Sequence, residues 1–334
     1  MNVRKIFILI ALMLVTALSL ASVSTAEEWI RKANMPTSRS LFSACEINGI
    51  IYAIGGWLGG ISPVVEAYDP ATNTWTKKKD MPTSRYGASV NTVNGIIYVI
   101  GGWEYIETSA VEAYDPATDT WTKKADMPTL RNFHTASVVN GIIYVIGGRI
   151  GSGSTSISTV EAYDPATNTW TKKADMPTAR DLLSSDVVNG IIYAIGGWTY
   201  GSSHLEVEAY NPATDTWTKK ANLSVARFGM SMNTLNGIIY AIGGFPSITD
   251  AYDPATDMWT KKADMPTIRG FHATGVVNGI IYAFGGTTDP NYASPLSEGV
   301  VEAYDPFRAP MRPPSLNTDA KKLATLWGKV KASD

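Results

Sequence analysis

A pattern of four strand-like stretches separated by turn residues recurs along the chain, and residues 135–173 show it clearly. Thr135–Val139 alternates small and apolar side chains and ends in Asn-Gly, the pair typical of a two-residue hairpin turn. Ile142–Ile146 is apolar almost throughout, as expected of a strand buried on both faces, and stops at a double glycine. The stretches VEAYD and TWTKK follow, separated by a DPATN turn. Each unit therefore predicts four antiparallel strands, here named a to d.

This unit is repeated six times. Successive tryptophans at the start of strand d lie 42 to 49 residues apart, which is the length of a propeller blade. The chain opens with a lone strand d, EEWIRKANM, and the last unit ends after strand c at VVEAYDP. Each end supplies what the other lacks, so the sequence predicts an all-β, six-bladed β-propeller closed by the N-terminal strand d joining the last blade.

The marks of each unit are a double glycine after an apolar strand, then a tyrosine, then a tryptophan after a short turn. The tyrosine recurs in all six units, at Tyr68, Tyr114, Tyr163, Tyr210, Tyr252 and Tyr304. In these features the chain resembles the kelch-repeat family over residues 27–306, and the resemblance implies a β-propeller. It implies little about function, because propellers serve many functions. Exported kelch propellers include sialic acid mutarotases and copper-radical galactose oxidases. The chain does not match the oxidases, which need a copper site and a Cys–Tyr cross-link.

The N-terminus predicts export. Arg4 and Lys5 precede an apolar run over 6–20, and Ser24 and Ala26 occupy the −3 and −1 positions of a cleavage site. We therefore expect a signal peptide at 1–26, the propeller at 27–306, and a proline-rich linker with a short amphipathic basic tail at 307–334. An uncleaved N-terminal anchor is the alternative. The expected product is secreted or periplasmic, without a lipid anchor or a transmembrane helix. The tail is expected either to contact the envelope or a partner or to be a frayed terminus.

Composition and charge give no support for nucleic-acid binding, for a bound metal or cofactor, or for a nucleophilic cysteine. The formal net charge is −2 and no basic stripe is present, so nucleic acid is not an expected partner. No cofactor or metal is predicted, because hydrogen-bonded turns explain the DPATD carboxylates. Cys45, the single cysteine, belongs to a row of small, mostly polar strand-a residues expected to line a central channel: Cys45, Asn91, Ser137, Asp186, Asn233 and Gly275. It is therefore interpreted as a filler and not as a nucleophile.

Positions that repeat in every unit are expected to serve the blade. An arginine follows strand d at 39, 85, 131, 180, 227 and 269, and strand c carries a glutamate at 66, 112, 161, 208 and 302. Structural ion pairs or backbone clamps are the favoured interpretation, and an arginine ring that attracts an anion is the alternative. His134 and His272 occupy one equivalent position, where a packing role is favoured over a catalytic pair.

Positions that differ between units are expected to serve a ligand, and they fall on one face. The b–c loops hold 9, 9, 12, 10, 5 and 15 residues. Their first residues are Trp57, Trp103, Arg149, Trp198, Phe245 and Thr287, and Tyr86, Asn132, Asp181 and Phe228 follow the repeated arginines on the same face. Aromatic rings among amides and acids suit a sugar or a protein hot spot, so these residues, apart from Thr287, are the predicted ligand-binding set. The alternative is that they merely cover the rim.

The sequence thus favours an exported binding scaffold that recognises a glycan or a protein through the b–c loops and d–a connections. The alternative is a carbohydrate-active enzyme such as a sialic acid mutarotase-like epimerase. Such an enzyme needs an acid/base pair, for which Glu104, Glu107, Asp181 and His204 are the candidates.

Overall fold

The computed structural model describes residues 28–151, 155–291 and 299–307. The predicted signal peptide and all of the predicted tail beyond Phe307 lie outside the described residues. Within those residues, no helix has the length and apolar character needed to cross a membrane.

The described residues form six four-stranded antiparallel sheets, the blades of a β-propeller, as the sequence predicted. Strands a, innermost, are Ser43–Ile47, Ser89–Val93, Thr135–Val139, Ser184–Val188, Ser231–Leu235 and Ala273–Val277. Strands b are Ile50–Ile54, Ile96–Ile100, Ile142–Ile146, Ile191–Ile195, Ile238–Gly243 and Ile280–Phe284. Strands c are Val65–Asp69, Val111–Asp115, Val160–Asp164, Val207–Asn211, Ile248–Asp253 and Val301–Tyr304. Strands d are Thr74–Lys77, Thr120–Lys123, Thr169–Lys173, Thr216–Lys219, Met258–Lys261 and, from the N-terminus, Trp29–Arg31.

The N-terminal strand closes the ring. Trp29–Arg31 pairs antiparallel with Val301–Tyr304, with Trp29 opposite Tyr304, and completes the sixth blade. The Trp29 indole Nε1 donates a hydrogen bond of 2.9 Å to the carbonyl of Ala263, two residues after strand d of blade 5. The predicted closure is confirmed, and the last blade has its outer strand.

Each turn between strands c and d clamps one blade to the one before it. In blade 1, Asn73 has a φ of 55°, and its Oδ1 accepts hydrogen bonds from the Tyr68 hydroxyl at 2.7 Å and the Ala33 backbone N–H at 2.9 Å. The Trp75 indole donates to the Ala33 carbonyl at 3.1 Å and packs on Tyr68, with ring centroids 5.0 Å apart. Asp119, Asn168, Asp215 and Asp257 accept the same pair of bonds in the next four blades. Hydrogen bonding within the fold therefore accounts for the repeated turn residues.

The repeated arginines form buried ion pairs, as the favoured interpretation held. In blade 4, Arg180 Nη2 lies 2.8 Å from Glu208 Oε2, and Nη1 donates to the Glu206 carbonyl at 3.0 Å. The Thr178 hydroxyl donates to the other Glu208 oxygen at 2.8 Å. Every blade has this arginine–carboxylate pair, but blade 5 uses Asp250, which is one methylene shorter than the glutamate found elsewhere. Charges neutralised in this way cannot form an anion-attracting ring.

The strands a are joined to one another by hydroxyl groups. Ser43 Oγ donates to the Ala88 carbonyl of the next blade at 2.7 Å, and Ser231 Oγ donates to the His272 carbonyl at 2.6 Å. Burial raises the pKa of the Cys45 thiol to about 12, so it stays protonated and unreactive at neutral pH. In blade 6, the row that contains Cys45 has Gly275 in place of a polar side chain. A Cβ on Gly275 would lie 3.0 Å from the side chain of Ile51 in blade 1. Apolar contact therefore joins these two blades.

Candidate functional site

Two sets of connections lie at opposite ends of the strands. The b–c loops and d–a connections form what we call the loop face, and the a–b and c–d turns form the turn face. On the loop face, each repeated arginine is followed by one variable residue and then by a residue with positive φ: Leu41, Gly87, Phe133, Leu182, Gly229 and Phe271. We call these six the inner ring.

Backbone hydrogen bonds close the inner ring around the propeller axis. The N–H of each member donates to the carbonyl of the member in the preceding blade, and the Leu41 N–H donates to the Phe271 carbonyl. The six distances are between 2.7 and 3.1 Å. Leucine and phenylalanine are rarely found at a φ of 51 to 55°, so these bonds hold a conformation that the residues avoid on their own. The loop face consequently has a rigid centre.

Glycine at two positions of the inner ring makes room for neighbouring rings. A Cβ on Gly87 would lie 2.9 Å from the ring of Phe133, and one on Gly229 would lie 2.7 Å from the ring of Phe271. Phe133, Phe271, Leu41 and Leu182 are all buried. Together with the first residues of strands a, the inner ring lines a cavity of about 220 Å³ on the axis.

The two histidines behind the inner ring are packing residues in this geometry. A Cβ on Gly101 would lie 2.7 Å from His134 Cε1, and one on Gly243 would lie 2.6 Å from His272 Cε1. His134 Nε2 lies 3.1 Å from Ser89 Oγ, and burial lowers the His134 pKa to about 3. Burial likewise holds the pKa of His272 well below its usual value. Both imidazoles are therefore neutral and fill space between blades.

The structure brings the two predicted rows of ligand-binding residues together. A backbone bridge joins each residue after a repeated arginine to the first residue of the b–c loop in its own blade: Ser40 to Trp57, Tyr86 to Trp103, Asn132 to Arg149, Asp181 to Trp198, Phe228 to Phe245 and Gly270 to Thr287. In blade 1, the Trp57 N–H donates to the Ser40 carbonyl at 2.7 Å. The two sets therefore form one layer directly outside the inner ring.

Burial in this layer differs from the expectation of exposed ligand-binding side chains. Asn132 and Asp181 are 0% and 1% exposed, and Phe228 is also buried. The other predicted residues are half-buried: Trp57, Tyr86, Trp103, Arg149, Trp198 and Phe245. Four of these aromatic residues, Trp57, Tyr86, Trp198 and Phe245, pack against inner-ring side chains and Phe228. Their rings do not stand free in the loops, because bridging the two connections turns them onto the hydrophobic centre.

The polar members of this layer connect the loops of blades 3 and 4. Asp181 Oδ2 accepts a hydrogen bond of 2.8 Å from Ser156 Oγ, and burial raises the pKa of Asp181. Arg149 Nε donates to Asn132 Oδ1 at 3.3 Å, and the guanidinium carbon lies 4.3 Å from the centre of the Phe133 ring. These contacts fix the loops, and they leave Asn132 and Asp181 covered.

The loop tips carry large exposed apolar side chains, which the sequence reasoning missed. Tyr105 and Ile106 are 84% and 71% exposed between Trp103 and Glu107, which a backbone bridge joins. Tyr200 is 75% exposed in the turn between Trp198–Thr199 and Ser202–Ser203. Leu58, Leu130 and Ile268 add smaller exposed areas. Tyr105 and Tyr200 each stand two residues after the first residue of a b–c loop, and this shared position was the signal that was missed.

The enzyme candidates are spread over two blades. Glu104 and Glu107 belong to the loop of blade 2, and Asp181 and His204 belong to blade 4. His204 Nδ1 lies 2.8 Å from Glu206 Oε2, and Glu107 is buried. In the described part of the chain, no group of three or more His, Cys, Asp or Glu side chains is arranged to hold a metal ion.

Family models match most of the propeller. A model described as the Kelch motif matches residues 130–177, 179–224 and 268–306. A second, described as the KLHDC2/KLHL20/DRC7 Kelch-repeats domain, matches residues 12–148. The chain belongs to the kelch-repeat family. Kelch propellers are generally protein-binding scaffolds, which is the coarse function that the family supports. Among curated proteins, none matches this kelch chain.

Proposed function

We propose that this kelch protein is an exported scaffold, secreted or periplasmic, that binds a protein partner through the loop face. The observation that carries the proposal is the exposure of Tyr105 and Ile106 at the tip of the blade 2 loop and of Tyr200 at the tip of the blade 4 loop. Tyrosine supplies a large contact area at low entropic cost, and buried aromatic anchors dominate protein interfaces. A branched aliphatic side chain such as Ile106 suits a protein partner better than a sugar.

The charges around these tips favour a basic partner segment. Glu104 lies beside Tyr105 and is half-buried, and Glu206, which is half-buried and contacts His204, lies on the loop after Tyr200. The six repeated arginines are neutralised by their own carboxylates, so they add no positive field to this face. A partner segment that places lysine or arginine next to an apolar side chain would match both features.

The rigid centre supports binding as well. The inner ring and the bridges hold the first residue of each loop in place before a partner arrives. Preordered loops lose less conformational entropy on association, which leaves more of the contact energy for affinity.

A glycan is the second candidate ligand. Trp57, Trp103 and Trp198 are half-buried and not fully covered, so part of each indole stays accessible for stacking on a sugar. The carbohydrate-active enzyme has less support, because Asp181 is covered and His204 is engaged by Glu206.

Site-specific photo-cross-linking tests the proposal. A photoreactive amino acid replaces Tyr105 or Tyr200 in protein expressed in the native host, and Met258 is the control, since it is 63% exposed on the turn face. We expect a discrete protein adduct from positions 105 and 200 and none from 258. A glycan array on the same protein tests the second candidate. Equal adducts from all three positions, or none from 105 and 200, would overturn the assignment of the loop face.

Export is tested separately. The predicted cleavage after Ala26 gives a mature chain that begins at Glu27. N-terminal sequencing of the protein from the periplasm or medium is expected to read Glu-Glu-Trp. Recovery of the chain only in cells with residues 1–26 still attached would contradict this part of the proposal.

A further inference from the structure

The connection from strand d of blade 4 into blade 5 differs from the equivalent connections elsewhere in the chain. Four units read Asp-Met-Pro-Thr there, and the N-terminal strand reads Asn-Met-Pro-Thr from Asn34. The unit before blade 5 reads Asn222-Leu223-Ser224-Val225. It is the one place in the sequence where a serine or threonine stands two residues after an asparagine, with a residue other than proline between them. Asn-X-Ser is the acceptor pattern for N-linked glycans.

The local structure presents both acceptor residues to solvent. Leu223 is buried, and its N–H donates to the Leu205 carbonyl at 2.9 Å, which anchors the segment. Asn222 and Ser224, on either side of that anchor, are exposed. An enzyme that has to contact the amide and the hydroxyl at once can therefore reach the two side chains without unfolding the blade.

The changes in this segment remove contacts that the other units use. In four units, the aspartate at the position of Asn222 forms an ion pair with the lysine three residues earlier. The threonine at the position of Val225 donates to the buried glutamate in the five other units. Proline, which restricts φ in the other units, is Ser224 here. The segment has lost an ion pair, a hydrogen bond and a rigid residue, and it has gained the acceptor pattern.

We propose that Asn222 is an N-glycosylation site, modified as the protein is exported; the proposal rests on the export proposed above. The donor is a lipid-pyrophosphate-linked oligosaccharide. A C–N bond forms between Asn222 Nδ2 and the anomeric carbon of the first sugar, the bond from that carbon to the pyrophosphate oxygen breaks, and the amide loses one proton. The Ser224 hydroxyl is the recognition element.

The position has a consequence for partner binding. Asn222 lies on a d–a connection and therefore at the rim of the loop face, where it leads into blade 5. Blade 5 has the shortest b–c loop, of five residues. Because the Leu223 N–H is bonded to Leu205 in the b–c loop that carries Tyr200, a glycan at Asn222 stands beside that loop and restricts how a protein partner approaches Tyr200.

Peptide mass spectrometry of the exported protein from its native host tests the proposal. Trypsin releases residues 221–227 as ANLSVAR, and residues 33–39 as ANMPTSR, a matched control of equal length from the equivalent position. We expect ANLSVAR to be depleted and replaced by a peptide heavier by whole sugar residues, while ANMPTSR stays unmodified. Asn222→Gln and Ser224→Ala should each abolish the heavier form, and Ser224→Thr should retain it.

Two results would overturn the assignment, and they differ in what else they affect. Fully unmodified ANLSVAR from protein that begins at Glu27 refutes the glycosylation site and leaves the export proposal standing. Protein that keeps residues 1–26 and stays in the cytoplasm refutes both.

Discussion

Replacing Thr178 by Val and Glu208 by Asp would give blade 4 the residues that blade 5 has, Val225 and Asp250. In blade 4, Glu208 accepts hydrogen bonds from both Thr178 and Arg180, at 2.8 Å each, and is almost fully buried. Thr178→Val removes one donor from a buried carboxylate and should cost about 1.5–3 kcal/mol of unfolding free energy. Glu208→Asp deletes one methylene, about 1 kcal/mol, and also withdraws the carboxylate from the threonine hydroxyl.

The two single changes break the same hydrogen bond, so their effects should not add. We expect the double variant to be less destabilised than the sum of the single variants by about 1–2 kcal/mol. The pair found in blade 5 is consistent with this expectation, because valine has no hydroxyl to donate and the shorter Asp250 carboxylate needs no such donor.

Urea unfolding followed by both circular dichroism and tryptophan fluorescence measures the four free energies, provided that the two transitions coincide. The matched control pairs Thr178→Val with Glu302→Asp in blade 6, where no contact is shared and additivity is expected. Thr178→Ser keeps the hydroxyl and should cost little. An additive double variant in blade 4, within about 0.5 kcal/mol, would refute the idea that threonine and glutamate act as a unit.

Three further outcomes follow from the fold. Burial lowers the His134 pKa to about 3 and holds that of His272 well below its usual value, so the unfolded chain binds protons first as the pH falls. The free energy of unfolding should therefore decline below about pH 6.5, by up to about 1.4 kcal/mol per pH unit for each histidine. His134→Phe should reduce this dependence on pH in urea unfolding between about pH 4 and 6.5, and an unchanged slope would contradict the prediction. Deleting residues 27–35 removes the outer strand of the last blade and should abolish cooperative melting or cause aggregation, so a truncated chain that melts like the mature one would show the closure to be dispensable. Gly87→Ala should cost about 1–3 kcal/mol through contact with Phe133, and Phe133→Leu should recover part of that loss in a thermal melt; no recovery would place the cost in the backbone.

Sequence periodicity was sufficient for the fold because each blade repeats the same local chemistry. The double glycine, the turn Asn or Asp and the tryptophan each form contacts within one blade or with the blade before it, so their spacing alone reports the architecture. Asp250 was the exception among the ion pairs, because blade 5 has both a shorter carboxylate and a shorter loop than its siblings.

The candidate site was predicted less well, since it depends on contacts that have no period. Trp57 and Trp198 look like free loop residues in the sequence, but bridges to Ser40 and Asp181 turn them onto the inner ring. The three-dimensional path of the loops shows that Tyr105 and Tyr200 are the most exposed aromatic residues in the described part of the chain. Residue type pointed to the loop face, and the course of the backbone decided which side chains on it stay accessible.

The inner ring limits how the number of blades can change. Near-identical units along a gene favour the gain or loss of whole copies by recombination, and an open solenoid tolerates that because each repeat contacts only its neighbours. Here every blade contributes one donor and one acceptor to a closed circuit that returns from Phe271 to Leu41. Removing one blade would leave the N–H of one inner-ring residue and the carbonyl of another separated by a gap. Adding a blade would require every hydrogen bond of the inner ring to reorient. The inner ring thus disfavours any number of blades other than six, even though the individual units are almost identical in sequence.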